Sequence, residues 1–224
     1  MKIGIICAIT RELAPITQRL ENHQTQELLQ RTFHTGTLHG KEVVAVIGGV
    51  GKVNGAITAQ LLTQHFGVDR VIFTGVAGGL SDTLKVGDVV IGTRLLYHDI
   101  DMAFVSNEMF DTPLEGFYSD EALVALCRDT DLPLHYGTII TGDEFITGAQ
   151  RDRLVAKFAP LCVDMESAAV AQVCWFYRLP LLVIRSISDF ADDEADGDEG
   201  AFEQNARKAG DIAFGVMEAV LRRL

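Results

Sequence analysis

Three carboxylates stand where apolar runs of the sequence end. Glu12 comes just after "KIGIICAI", Glu166 follows "LCVDM", and Asp189 closes "LLVIRSIS". A glycine cluster, "TGVAGG" (74–79), follows the run "RVIF" in the same way. An unpaired charge beside buried elements is costly, so a carboxylate at such a seam needs a partner in the protein or in a ligand. Ionised, it accepts hydrogen bonds and protons; protonated, it donates one. Each feature alone also has a structural explanation. An acid in the first turn of a helix complements the macrodipole, an aspartate closes turns, and glycine permits tight ones. Three acids and a glycine cluster at one place are harder to explain that way.

Their convergence follows from the elements that must carry them. Short β-branched runs alternate with helical periodicity along the whole chain. "KIGIICAI", "RVIFTG", "GDVVIGTRLLYH", "YGTIITG", "LCVDM" and "PLLVIRSIS" predict strands, and "RTFHTGTL" with "KEVVAVIG" predicts a hairpin. "ELAPITQRL", "KVNGAITAQLLTQHF", "DEALVALCRDT", "AQRDRLVAKF", the apolar stretch after Glu166 and a closing segment at 202–222 predict helices. Such alternation implies an α/β fold with a largely parallel sheet. Without a linker or repeat in view, the expectation is one domain over residues 1–224. Open parallel sheets bind ligands beyond the carboxyl ends of their strands. Glu12, the glycine cluster, Met165-Glu166 and Ser188-Asp189 all fall on that rim.

Composition narrows the partners. The 224 residues are 48% hydrophobic and carry 19 basic against 31 acidic side chains, a net charge of −12. The isoelectric point is near 4.8 and the mean hydropathy +0.19. That balance argues against nucleic acid or an anionic membrane surface, both of which need a basic patch. Cys7, Cys127, Cys162 and Cys174 are scattered without a C-x-x-C pair, which fits reduced, packed thiols and a cytoplasmic location. "MKIGIICAIT" has no small-residue cleavage site before Arg11 and predicts a first strand, not a secretion signal. No apolar run is long enough for a membrane span.

Three sharper motifs fall short. "GGVGKVNG" (48–55) has Val46 where a phosphate loop needs its first glycine, and Val53 where it needs Ser or Thr; a dinucleotide loop would need glycine in place of Asn54. "DDEADGDEGAFE" (192–203) has calcium-loop spacings, yet a strand and turn precede it and Glu199 takes the apolar position, so a solvated acidic loop is the better expectation. "HDID" (98–101) has no matching Cys or His elsewhere, which leaves metal unsupported.

In order and spacing, "MKIGIICAITRE", "GVGKVNGA", "TGVAGGL", "LKVGDVVI", "YHDID", "TGDEFI", "VDMESAAVAQVC" and "VIRSISDFAD" resemble the 5′-methylthioadenosine/S-adenosylhomocysteine nucleosidases of the nucleoside phosphorylase/hydrolase superfamily. The resemblance runs almost end to end. It implies a three-layer α/β domain with a twisted, mixed central sheet between helices, a homodimer, adenine nucleosides as substrates, and neither metal nor cofactor. It also implies roles. Asp189 protonates adenine at N7, and Glu12 takes a proton from the attacking water. Glu166 receives the ribose 2′ and 3′ hydroxyls, which would satisfy the seam carboxylate by ligand and not by protein. Met165 packs on the ribose, Phe145 stacks on the base, the Ile146 backbone meets the adenine edge, and Ser188 orients the acid. Ile9 and Val76 complete the substrate-binding set. Two departures bear on specificity. Residues 102–117 lack the family's Gly-Gln-x-Pro-Gly turn near the 5′ substituent, and Val76 replaces a small hydroxyl residue. A nucleosidase for another 5′-modified adenine nucleoside (aminodeoxyfutalosine or 5′-deoxyadenosine), a purine nucleoside phosphorylase, and a non-catalytic nucleoside-binding module remain alternatives. The acid and base together weigh against the last of these.

Overall fold

A computed structural model describes residues 1–100, 112–113, 115–190 and 199–224. The first half runs β1 (Lys2–Cys7), α1 (Thr10–Thr17), β2 (Glu21–Leu28), β3 (Arg31–Leu38), β4 (Lys41–Ile47), α2 (Lys52–Gln64), β5 (Arg70–Gly79) and β6 (Val89–Tyr97). It continues with β7 (Phe117–Tyr118), α3 (Glu121–Arg128), β8 (Leu134–Thr141) and α4 (Gly148–Phe158). Then come β9 (Cys162–Asp164), α5 (Ser167–Tyr177), β10 (Leu181–Asp189) and α6 (Glu199–Leu221).

Alternation along the strands builds two cores. In β1, Ile3, Ile5 and Cys7 enter one core and Ile6 the other; in β10, Leu182 and Ile184 oppose Leu181, Val183 and Ile187. Successive side chains of a strand point to opposite faces, so β1 and β10 each serve both cores. The first core takes Leu13 and Ile16 of α1, Leu123 of α3 and Met217 of α6; the second takes Leu62 of α2 and Val170 of α5. Helices thus cover both faces of the sheet, giving three layers.

The sheet is mixed, where alternation alone implied a largely parallel one. β1 lies parallel to β4 and β5, and β5 parallel to β10, while β10 meets β6 and β9 meets β5 in antiparallel fashion. Because β10 pairs with both β5 and β6, strands β10, β6, β8, β9 and β5 close into a ring; β1, β4, β3 and β2 extend from it. Strand β2 escapes sequence reading for a physical reason. Its side chains are exposed from Glu21 to Glu27, so an edge strand of this kind has no buried face to impose a period.

The glycine cluster is a second correction. The predicted strand "RVIFTG" ends at Gly75, but β5 continues through residues 76–79. β5 stays paired with β10 as far as Gly78 and Asp189, with a register shift between Ile187 and Asp189. A bulge of this kind re-aims side chains at a strand end, here those of Ser188 and Asp189. The carboxyl ends of β1, β5 and β10 share one end of the sheet because these strands are parallel. β9 returns antiparallel with Val163 opposite Gly78, which brings Asp164 to the same rim. All four cysteines are free and buried. No helix among the described residues is long and apolar enough to cross a membrane.

Candidate active site

At that rim lies a cavity of about 320 Å3. Ile9, Glu12, Val76, Phe145, Ile146, Met165, Glu166, Ser188 and Asp189 all line it, together with Val50 and Asp164. Every site residue singled out from the sequence is therefore brought together.

Glu12 stands in the first turn of α1 and is 2% exposed. Its Oε2 accepts the backbone N–H groups of Ala8 at 2.7 Å and Ile9 at 3.1 Å, and its Oε1 accepts that of Val76 at 3.0 Å. It thus caps its own helix and reaches β5 as well. Burial raises its pKa, against the Arg185 charge and the three N–H groups, which lower it. Gly75 makes this approach possible. A Cβ there would sit 2.7 Å from Glu12 Oε1 and 2.8 Å from Arg185 Nη1, closer than carbon atoms are found.

Glu166 immediately precedes α5, makes no side-chain cap bond to it, and is 5% exposed. Its Oε1 accepts the Gly51 N–H at 2.8 Å, and its Oε2 lies 3.8 Å from Arg185 Nη2. The protein therefore satisfies part of this carboxylate, which the resemblance had assigned to ligand alone. Burial pushes its pKa up to about 7; Asp164 and Glu12 push the same way, while Arg185 and the Gly51 N–H pull it down.

Sequence reasoning missed how much depends on Arg185 and Asp164. Arg185 sits in β10 with Nε 2.8 Å from Asp164 Oδ2, and its guanidinium lies 3.8 Å from the Phe73 ring centroid. Asp164 also accepts from the Thr141 hydroxyl at 2.6 Å, the Ser167 N–H at 3.1 Å and the Ser167 hydroxyl. The signal was present: a lone arginine within "LLVIRSIS" and an acid within "LCVDM" are buried charges that must be paired. Arg185 Nη1, beside Glu12, has no hydrogen-bond partner among the described residues. At the far side of the cavity, the Ser188 hydroxyl donates to Asp189 Oδ2 at 2.7 Å. The acidic stretch 191–198 and most of 102–117 lie outside the described residues, so the calcium-like spacing and the 5′-side departure have no structural counterpart here.

The phosphorylase superfamily model matches residues 2–222. Among curated relatives, the 5′-methylthioadenosine/S-adenosylhomocysteine nucleosidase of Bacillus velezensis is 38% identical over 230 residues, 98% of this chain and 100% of its own. The chain belongs to that nucleosidase family of the phosphorylase superfamily. Solved structures agree. The Streptococcus pneumoniae MTA/SAH nucleosidase in complex with 8-aminoadenine superimposes with a TM-score of 0.94 at 42% identity, covering 100% of both chains. The futalosine hydrolase of Helicobacter pylori reaches 0.89 at 32% identity, covering 100% of this chain and 98% of that one.

The raised carboxylates have a consequence for stability. Glu12 and Glu166 bind protons more tightly folded than unfolded, so their contribution is fully present below the ordinary value of 4.5. For Glu166 it is lost as pH rises through about 7. Glu166→Gln should therefore gain stability relative to wild type between pH 5 and pH 8. Urea denaturation at both pH values reads this difference, and a constant offset would contradict it.

Proposed function

We propose that the protein hydrolyses the N-glycosidic bond of 5′-methylthioadenosine and S-adenosylhomocysteine, releasing adenine and the 5-thio-substituted ribose. One observation carries the reading: three buried carboxylates, Glu12, Asp164 and Glu166, face a single guanidinium, Arg185. A site with surplus negative charge in a poorly hydrated pocket favours a cationic sugar, and breaking the bond from C1′ to N9 generates one.

Each side chain then has a task. Asp189, oriented by Ser188, gives a proton to adenine N7, so the base departs neutral. Water adds to C1′ from the opposite side, and its proton passes to Glu12. Burial makes Glu12 a stronger base than an ordinary carboxylate, which suits this step. The unpartnered Nη1 of Arg185 beside Glu12 supports a shared grip on that water. Glu166 accepts the ribose hydroxyls with lone pairs that Gly51 and Arg185 leave available. In this reading Phe145, a 53% exposed residue of the cavity lining, stacks on the base and Met165 covers the sugar. An adenine analogue bound to the pneumococcal relative supports a purine in this pocket. The likeness to a futalosine hydrolase supports a different 5′ group as the second reading. The exposed rings of Trp175 and Phe176 at the end of α5 support pairing of two copies.

Asp189→Asn keeps the shape of the acid and removes the transferable proton. Adenine release should fall by about 10²–10⁴, with nucleoside binding retained by calorimetry. Turnover near the wild-type rate would remove Asp189 from the mechanism.

Phosphate distinguishes hydrolysis from phosphorolysis. Lys52, the one cation in the segment 48–55, is held by Asp99 and Asp143, and Glu12 would repel a bound dianion. Adenine should appear from 5′-methylthioadenosine at the same rate with and without phosphate, alongside free 5-methylthioribose. A phosphate-dependent rate with a sugar 1-phosphate as product would overturn the hydrolase reading.

A further inference from the structure

Two side chains from stretches noted in the sequence have no catalytic task above: Lys52 of "GGVGKVNG", which fails as a phosphate loop, and Asp99 of "HDID", which fails as a metal cluster. The structure joins them. Lys52, within the first stretch, opens α2, and Asp99 of the second follows the end of β6. Lys52 Nζ hydrogen-bonds Asp99 Oδ2, lies 3.6 Å from Asp143 Oδ2 and stands 5.6 Å over the Tyr97 ring. A second set of bonds locks the backbone: the Lys52 N–H donates to Asp143 Oδ1 at 2.7 Å, and the Asp143 N–H donates to Asp99 Oδ2 at 3.1 Å. One ammonium and two carboxylates thereby tie together the segments that follow β4, β6 and β8.

We propose that Lys52 is a positioning residue whose clamp on Asp99 and Asp143 aligns the sugar-binding carboxylate Glu166 with the base-binding segment 144–146. The inference rests on the proposed hydrolysis and deepens it. On the sugar side, the residue before Lys52 is Gly51, held at φ +99° with its N–H on Glu166 Oε1 at 2.8 Å. Few residues other than glycine adopt that backbone, and a Cβ there would lie 3.2 Å from Asp143 Oδ1. On the base side, Asp143 immediately precedes Glu144, Phe145 and Ile146, all of which line the cavity. The ends of one clamp thus touch both halves of a nucleoside site.

Stability is a poor explanation for this arrangement. Lys52 and Asp99 are 24% and 19% exposed, and ion pairs that reach solvent contribute little to folding. Their geometric effect is larger, because the Gly51 N–H is a bond that favours the ionised form of Glu166. Burial, Asp164 and Glu12 oppose ionisation, and Arg185 is the other group that favours it. Loosening the clamp therefore shifts Glu166 toward its protonated form, in which one oxygen no longer accepts freely from a ribose hydroxyl.

The test uses Lys52→Met, Lys52→Arg and, with volume conserved, Asp99→Asn. Three quantities are read: the 13C NMR titration of Glu166, adenine affinity without turnover, and the pH profile of kcat/KM. In Lys52→Met we expect a near-unchanged Tm, a higher titration midpoint for Glu166 and weaker adenine binding. The acidic limb of kcat/KM should move to higher pH, with a loss of about 10- to 100-fold on ribosides and a smaller loss on 2′-deoxyribosides. Lys52→Arg should recover part of the loss, and Asp99→Asn should reproduce the Lys52→Met shifts. An unmoved Glu166 midpoint and pH limb would overturn the proposal, as would equal losses on both sugars that track a lowered Tm. Titration and adenine binding need no turnover, so they stand even if the 5′-thionucleosides prove not to be substrates.

Discussion

Arg185 carries its charge into the middle of the sheet, fully buried in β10, with its guanidinium over Phe73 and its Nε 2.8 Å from Asp164. Neither side of this contact is tolerable alone. A guanidinium in that place without anions would bear a desolvation cost of several kcal/mol. Glu12, Asp164 and Glu166 without the guanidinium would be three acids crowded into poorly hydrated space. The architecture follows from meeting both demands. β10 must pair with β5 on one side and β6 on the other, so the strand bearing Arg185 is fixed in the ring. Gly75 must lack a side chain, because Glu12 and Arg185 occupy the space a Cβ would need.

The same contact divides labour among the acids. Asp164 gives its oxygens to Arg185, Thr141 and Ser167 and is a structural counter-ion. Glu166 and Glu12 receive only part of the guanidinium, and burial leaves their pKa values raised. In the proposed hydrolysis those two are the carboxylates left for substrate and water. One cation among three acids then leaves one locked carboxylate and two for the reaction, with surplus negative charge toward a sugar that becomes positive.

Much of this was legible in the sequence where burial leaves a pattern. Glu12, Glu166 and Asp189 each interrupt the end of an apolar run, and parallel strands bring those ends to one rim. The structure places all three on one cavity. Less legible were features whose cause lies across the fold. β2 is polar along nearly its whole length, so no periodicity marks it as a strand. Residues 76–79 carry a weak strand signal because glycine lacks strand propensity, yet β10 and β9 hold them in the ladder. The sharing of Glu166 between Gly51 and Arg185 depends on residues 115 and 19 positions away, which no local window joins.

If surplus negative charge selects a cationic sugar, ligand charge must set affinity at this site. Two adenine-bearing ligands of one shape would be compared by calorimetry, one with a protonated pyrrolidine in place of the ribose and one with a neutral cyclopentane. The cation should bind at least about 10²-fold more tightly near pH 8, in keeping with preferential binding of the transition state. That advantage should shrink as pH falls below about 7 and Glu166 takes up its proton. Equal affinities for the two ligands, unchanged across that pH range, would contradict it.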